Sequence, residues 1–149
     1  MSKRRIPNEV RSFVAKRAGR CCEYCRIPKR YCPDPFSIDH INPRTAGGAD
    51  EQVNLAYCCL GCNNAKHDAV SAIDPTLGKP AALFHPRRDV WTDHFTWSPD
   101  FLKIIGKTPK GRATIDRLQL NREGLVNLRE VLVLTGRHPP RKSVTRKPR

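Results

Sequence analysis

The strongest constraint on how this chain folds is a pair of Cys-x-x-Cys sequences separated by 33 residues. Cys22 and Cys25 form the first pair, and Cys59 and Cys62 form the second. Each pair can turn two thiolates toward one point, so two pairs complete a tetrahedral zinc site with no open coordination position. A closed site is structural, and its metal contributes folding free energy. The spacing therefore predicts a fold built around one structural Zn²⁺.

The other cysteines do not fit this spacing. Cys21 and Cys58 each stand one residue too early to open a Cys-x-x-Cys pair, and Cys32 stands alone. We expect these three thiols to pack as small apolar groups. Thiol redox chemistry is the alternative use of a Cys-x-x-Cys pair, but it requires a reactive pair at a helix start in a βαβ setting. The sequence shows no such pattern.

The charge of the chain points to an anionic partner. Its 149 residues carry a formal net charge of +14, and Lys or Arg side chains that neutralise phosphates release condensed counterions. Nucleic acid is the leading candidate, and the alternatives are an acidic protein partner or a basic charge that serves only solubility. The first residues lack the apolar stretch of a signal peptide, and no apolar run reaches membrane-spanning length. We therefore expect a cytoplasmic protein with no membrane partner.

Hydrophobic patterning predicts a mixed α+β fold. A short helix is expected over residues 8–19 and a strand over 36–38 that ends on Asp39-His40. Residues 54–57 form a second candidate strand, and a helix is expected to begin near Cys62. The first 70 residues are accordingly expected to form the core domain.

The chain changes in character after residue 70. Residues 73–111 are rich in Pro, Gly and aromatic side chains, which predicts short strands and turns within a C-terminal extension over 71–136. Asn121 is a candidate N-cap for a further helix that stops before Gly136. Residues 137–149 contain six basic side chains, three prolines and no acid, which predicts a disordered tail. The expected apolar stripe of the last helix consists of Leu125, Leu128, Val131 and Leu132.

A series of polar residues lies within and just after the segment between the two Cys pairs. Asp39-His40 ends the first candidate strand, Asn54 opens the second, and Cys62-Asn63 is followed by Lys66. Over about residues 10–67 this string resembles the Cys-rich branch of the HNH endonucleases. It departs from the motif name at the third letter, where many relatives carry His in place of Asn63, and both versions occur in the family.

The resemblance implies a ββα-metal (His-Me finger) core that hydrolyses phosphodiester bonds in DNA, with double-stranded DNA as the expected partner. His40 would act as the general base, and its unperturbed pKa near 6.5 suits that role. Asp39 and Asn63 would bind one catalytic Mg²⁺ or Mn²⁺, because oxygen ligands suit a hard cation. Asn54 would hold the catalytic loop.

Other polar residues around the motif have open interpretations. His67 follows Asn63 by four residues, so it is expected either to bind the catalytic metal or to be solvated. Lys66 and Arg44 are candidate phosphate contacts in a nucleic-acid-binding surface, with ordinary surface charge as the alternative.

A different class of function is also compatible with these features. A non-catalytic, zinc-containing nucleic-acid-binding module would have the same charge and the same Cys pairs. The combination of Asp39, His40 and Asn63 discriminates between the two classes, because a module that only binds has no need to place these groups together.

Overall fold

The computed structural model describes residues 5–140 of the chain, which form a mixed α+β structure as predicted. None of the helices within this range is long and apolar enough to cross a membrane. The helices are α1 (Asn8–Arg17), α2 (Leu60–Lys66), α3 (Trp91–His94), α4 (Pro109–Leu118) and α5 (Glu123–Leu134). The strands are β1 (Ser37–His40), β2 (Leu55–Cys58), β3 (Ser71–Asp74), β4 (Lys79–Ala82), β5 (Phe95–Trp97) and β6 (Ile104–Gly106).

The N-terminal half is a ββα unit, as the resemblance implied. Strands β1 and β2 pair antiparallel, with His40 opposite Leu55 in the register, and α2 begins just after β2. Every residue of β2 is buried, since α1 packs on this strand and the core lies around it. The loop from residue 41 to residue 54 therefore leaves and returns to a rigid hairpin.

The extension contains the short strands that its composition predicted, together with a helix that was not predicted. Strands β3–β4 and β5–β6 form two antiparallel hairpins. Helix α4 then begins at Pro109, and the Thr108 hydroxyl caps it by accepting the backbone N–H of Gly111 at 3.0 Å. A Thr cap followed by Pro is a helix-start signal, and the neighbouring Gly and aromatic residues obscured it.

Helix α4 joins the extension to the core. It packs on β3, β4 and β6 and also on α2. The Arg112 guanidinium makes two hydrogen bonds to the buried Asp74 carboxylate, from Nε at 2.9 Å and from a terminal nitrogen at 2.8 Å. Leu118, at the end of the same helix, is fully buried in the cluster that also contains Leu55 of β2. The two halves therefore share one hydrophobic core.

Two expectations about the last helix are wrong. The Asn121 side chain does not cap α5: its carboxamide accepts the Ile104 N–H at 2.8 Å and donates to the Ile104 carbonyl at 2.9 Å, so it extends the edge of β6. Arg122 occupies the N-cap position instead. Val131 is 55% exposed, whereas the other three residues of the predicted stripe pack against the core. The predicted helix stop at Gly136 is confirmed by its left-handed backbone.

The first residues of the predicted tail are ordered against the extension. His138 is buried, its ring lies edge-on to Trp97 at 4.4 Å between centroids, and its Nε2 lies 2.9 Å from the Phe101 carbonyl. Burial lowers the pKa of His138 to about 4, so the neutral ring donates this hydrogen bond at pH 7. The disorder expected of the tail is wrong at this residue, and residues 141–149 lie outside the described part of the chain.

Because the two halves share one core, truncating a buried side chain of α4 should destabilise the whole protein. Leu118→Ala removes a fully buried side chain and should lower the free energy of unfolding by about 2–5 kcal/mol. Leu134→Ala is the control, because Leu134 is 81% exposed and its truncation should change stability by less than about 0.5 kcal/mol. Urea unfolding followed by circular dichroism measures both. Separate transitions for the two halves would contradict a single cooperative core.

Candidate functional site

The two Cys pairs converge at a single buried point. The sulfur atoms of Cys22, Cys25, Cys59 and Cys62 all lie within 4.8 Å of one another, and all four residues are buried. Cys25 Sγ and Cys59 Sγ are 3.7 Å apart. A tetrahedral site with Zn–S bonds of about 2.3 Å requires sulfur–sulfur distances of about 3.8 Å. These four residues, called the zinc centre below, therefore fit a structural Zn²⁺.

The three remaining cysteines lie outside the zinc centre. Cys21 and Cys58 are buried, whereas Cys32 is half-buried and its thiol lies 3.6 Å from the Pro28 carbonyl. Burial raises the pKa of the Cys21 and Cys32 thiols to about 11, which keeps them protonated at neutral pH. The two Cys-x-x-Cys pairs share one buried point, which argues against the alternative in which each pair is a separate redox centre.

Arginines from the extension surround the zinc centre. The Arg122 guanidinium donates to Cys59 Sγ at 3.4 Å and to Cys62 Sγ at 3.6 Å. A Cβ at residue 61 would lie 2.4 Å from an Arg122 nitrogen, so a larger residue than Gly61 would displace the guanidinium from this position. Arg129 is fully buried and donates to the Cys25 carbonyl at 3.5 Å. One Zn²⁺ with four thiolates would carry a net charge of about −2, which these two guanidinium groups would offset.

A polar cavity of about 260 Å³ lies where β1, the following loop and α2 meet. Strand β1 supplies residues at its C-terminal end, the loop supplies a basic residue, and α2 supplies an amide. This cavity, called the polar cavity below, brings together most of the residues singled out from the sequence. Its lining includes Asp39, His40, Arg44, Asn63 and His67.

His40 has an acidic partner that the sequence did not reveal. Its Nε2 lies 2.8 Å from Asp50 Oδ1, which also accepts a hydrogen bond from Arg44 Nε at 2.9 Å. The hydrogen bonds from Arg44 and His40 lower the pKa of Asp50 to about 2, so the carboxylate is ionised at neutral pH and only accepts. The proton of neutral His40 therefore resides on Nε2. Nδ1 retains its lone pair and has no partner within residues 5–140.

Asp39 forms a buried wall of the polar cavity. It is 3% exposed, and its Oδ2 accepts the Tyr24 hydroxyl at 2.7 Å. The Lys66 ammonium lies 3.3 Å from Oδ1 and 3.2 Å from Oδ2. Burial raises the pKa of Asp39, while Lys66 and Tyr24 act in the opposite direction. Burial, with the charge of Asp39, also raises the pKa of Tyr24 well above its usual value, so Tyr24 remains a donor.

The phosphate contact expected of Lys66 is not supported by this arrangement. Lys66 is 1% exposed, and its ammonium also lies 3.4 Å from the carbonyls of His40 and Ile41. It holds the end of β1 in place and is not presented to a ligand. Arg44, in contrast, lines the polar cavity and is 32% exposed.

The residues contributed by α2 differ in their surroundings. Asn63 is half-buried, and its carboxamide has no hydrogen-bond partner in the described part of the chain. His67 lies just past the end of α2, is 77% exposed, and places its Nδ1 3.0 Å from Asp68. Because the helix ends at Lys66, His67 does not share a helical face with Asn63. Its surroundings favour the solvated alternative.

The Asn54 side chain makes hydrogen bonds to the backbone of the loop that precedes it. Its Oδ1 accepts the Asn42 N–H at 2.8 Å, and its Nδ2 donates to the carbonyls of Asn42 at 2.9 Å and Ala49 at 2.8 Å. These three hydrogen bonds join the start and the end of the loop that carries Arg44 and Asp50. The geometry is that of a loop-holding residue, which is the role implied by the resemblance.

A comparison with known families assigns this region. Residues 22–69 match the family model described as HNH endonuclease. This segment, about a third of the chain, is therefore similar to an HNH endonuclease domain. The match spans the zinc centre, both strands of the ββα unit, the loop and α2, so the resemblance to the HNH endonucleases and the ββα-metal fold are both confirmed. No curated protein and no solved structure matches the chain significantly.

The zinc centre predicts a metal content and a matched pair of variants. Purified protein should contain about one zinc per chain. Cys59→Ser should lose the metal and unfold much of the HNH domain, since metal binding and folding are coupled. Cys32→Ser, outside the centre, should keep both the metal and the fold. Elemental analysis with circular dichroism measures these properties, and a folded wild-type protein without bound metal would contradict the assignment.

Proposed function

We propose that this protein is an endonuclease that hydrolyses phosphodiester bonds of double-stranded DNA, with His40 as general base and one Mg²⁺ or Mn²⁺ as the catalytic cation. The observation that carries the proposal is the His40–Asp50 pair. His40 of this pair lines the polar cavity that also contains Asp39 and Asn63. An oriented base beside two oxygen ligands is the constellation that metal-assisted phosphodiester hydrolysis requires.

The geometry supports a specific role for His40. Asp50 holds the proton on Nε2, so Nδ1 is available to remove a proton from a water molecule. The oxygen of that water forms a bond to the scissile phosphorus, and the bond from phosphorus to the 3′ oxygen breaks. The 3′ oxygen takes up a proton as it leaves. The products are a 3′-hydroxyl and a 5′-phosphate.

Asp39 and Asn63 suit a hard divalent cation. Both offer oxygen ligands, and both line the polar cavity. A carboxylate has about four lone-pair sites, so the contacts from Tyr24 and Lys66 leave Asp39 capacity for a metal bond. The unpartnered amide of Asn63 would supply the second ligand. A bound Mg²⁺ or Mn²⁺ supplies positive charge to the phosphate oxygens and the leaving 3′ oxygen.

The charge distribution suits a DNA substrate. The net charge of +14 favours a polyanion through counterion release. Arg44 is partly exposed at the polar cavity, beside His40, and is the residue we assign to a substrate phosphate. Its hydrogen bond to Asp50 keeps the side chain in a defined orientation.

Loss of the base should separate catalysis from binding. His40→Ala removes the proton acceptor and leaves the zinc centre and the basic surface in place. Plasmid cleavage should fall by about 10²–10⁴-fold, with DNA affinity and thermal stability close to wild type. A plasmid-nicking assay with Mg²⁺ or Mn²⁺, run beside a binding titration, measures both properties. Unchanged cleavage by His40→Ala would favour the alternative, a non-catalytic zinc-containing nucleic-acid-binding module.

The orienting role of Asp50 predicts a second loss of activity. Asp50→Asn keeps the size of the side chain but lets the amide stabilise the wrong tautomer of His40. The cleavage rate should fall by about 10²–10⁴-fold, the range covered by base removal and by tautomer disruption in a catalytic triad. Glu51→Gln is the matched control, since this exposed neighbour loses the same charge. Equal rates for the two variants would show that Asp50 acts only through charge.

A further inference from the structure

Tyr24 connects the zinc centre to the proposed catalytic metal site. It stands between Cys22 and Cys25 in the first Cys-x-x-Cys pair. Its hydroxyl donates to Asp39 Oδ2 at 2.7 Å. Tyr24 is fully buried and Asp39 nearly so, which excludes solvent from this hydrogen bond. A residue inside one metal-binding turn therefore contacts a ligand proposed for the other metal.

The position of Tyr24 is restricted on several sides. Both neighbouring cysteines belong to the zinc centre, so the backbone of the turn is held by that centre. The Tyr24 carbonyl accepts the indole N–H of Trp91 at 3.1 Å, and its ring packs edge-on against Phe84 at 6.4 Å between centroids. The phenolic oxygen therefore has one defined position relative to the sulfur atoms.

That position determines the orientation of the Asp39 carboxylate. Tyr24 contacts one carboxylate oxygen, and the Lys66 ammonium lies near both. Donors from two directions stop the carboxylate from rotating about its Cβ–Cγ bond. The lone pairs that remain for a cation therefore have a set direction, and such preorganisation raises metal affinity.

We propose that Tyr24 is a positioning residue for the divalent-metal site, so that the zinc centre sets the geometry of Asp39 through a single hydrogen bond. The inference rests on the proposed role of Asp39 as a metal ligand. It differs from a packing role, in which the phenolic oxygen would be needed only because a buried hydroxyl requires a partner.

Tyr24→Phe tests the proposal, because it removes the hydrogen bond and keeps the ring. Tyr57→Phe is the matched control: Tyr57 is also buried, lies on β2, and makes no side-chain hydrogen bond within residues 5–140. Tyr24→Phe should raise the Mn²⁺ concentration for half-maximal binding by roughly 10–100-fold, as other losses of an outer-shell partner do. Mn²⁺ titration followed by electron paramagnetic resonance measures binding without reference to activity.

The expected pattern distinguishes positioning from packing. Tyr24→Phe should keep about one zinc per chain and cleave slowly at low Mn²⁺, with partial rescue at high Mn²⁺. Tyr57→Phe should match the wild type in each measurement. Mn²⁺ affinity at the wild-type level in Tyr24→Phe would overturn the proposal. Asp39→Ala should lose the Mn²⁺ site altogether and serves as the reference for complete loss.

A measurement on the wild-type protein covers the case in which Tyr24→Phe fails to fold. The chain has three tyrosines, so ¹³Cζ-tyrosine labelling gives a simple spectrum. Saturating Mg²⁺ should shift the Tyr24 resonance through Asp39 and leave the Tyr57 resonance in place. An unmoved Tyr24 resonance in Mg²⁺-bound protein would refute the coupling.

The two proposals fail in different ways. Wild-type protein that cleaves no DNA in either metal would overturn the proposed function, while the Mn²⁺ titration and the tyrosine spectrum would still test Tyr24. Wild-type protein that cleaves DNA, with Tyr24→Phe unchanged in Mn²⁺ affinity, would overturn the role of Tyr24 alone.

Discussion

Four cysteine sulfurs converge on a buried point from two turns that are far apart in the chain. Both residues between the cysteines of the first turn contact other elements. Glu23 accepts the Tyr57 N–H at 2.8 Å and forms an ion pair with Arg87. Tyr24 donates a hydrogen bond to Asp39. The second turn leads directly into α2, which carries Asn63. Convergence of the sulfurs therefore places β1, β2 and α2 relative to one another, and the polar cavity forms where these elements meet.

Charge explains why the extension packs on this point. A Zn²⁺ with four thiolates leaves an excess of negative charge that an apolar core does not tolerate without compensation. Arg122 donates directly to two of the sulfurs. The buried Arg129 contacts the Cys25 carbonyl, and its guanidinium lies over the ring of Trp97. Among residues 5–140, the buried Arg129 has carbonyl and amide oxygens as acceptors and no carboxylate; these oxygens belong to Leu102, Cys25, Leu120 and Asn121. The negative charge of a Zn²⁺ bound by four thiolates would compensate for its burial.

Much of the HNH domain was predictable because its signals are local. The Cys spacing, the strand that ends on Asp39-His40, and the loop between two strands each occupy a short stretch of sequence. Predictions failed where distant segments decide the outcome. Asn121 has a side chain that often caps helices, but in the folded chain it hydrogen-bonds to the backbone of Ile104 at the edge of β6. Lys66 has the charge of a phosphate contact, but the fold encloses it against Asp39.

The sequence by itself determined the zinc ligands' spacing, the mixed α+β class, the order of the HNH motif and the basic charge. These properties follow from residue type and from distance along the chain, which are fully specified before folding. The tertiary structure alone decided that Asp50 orients His40, that Tyr24 contacts Asp39, and that arginines of the extension face the thiolates. Each of these contacts joins residues 10 to 63 positions apart, and their distance in space depends on how the hairpin, the loop and α4 pack.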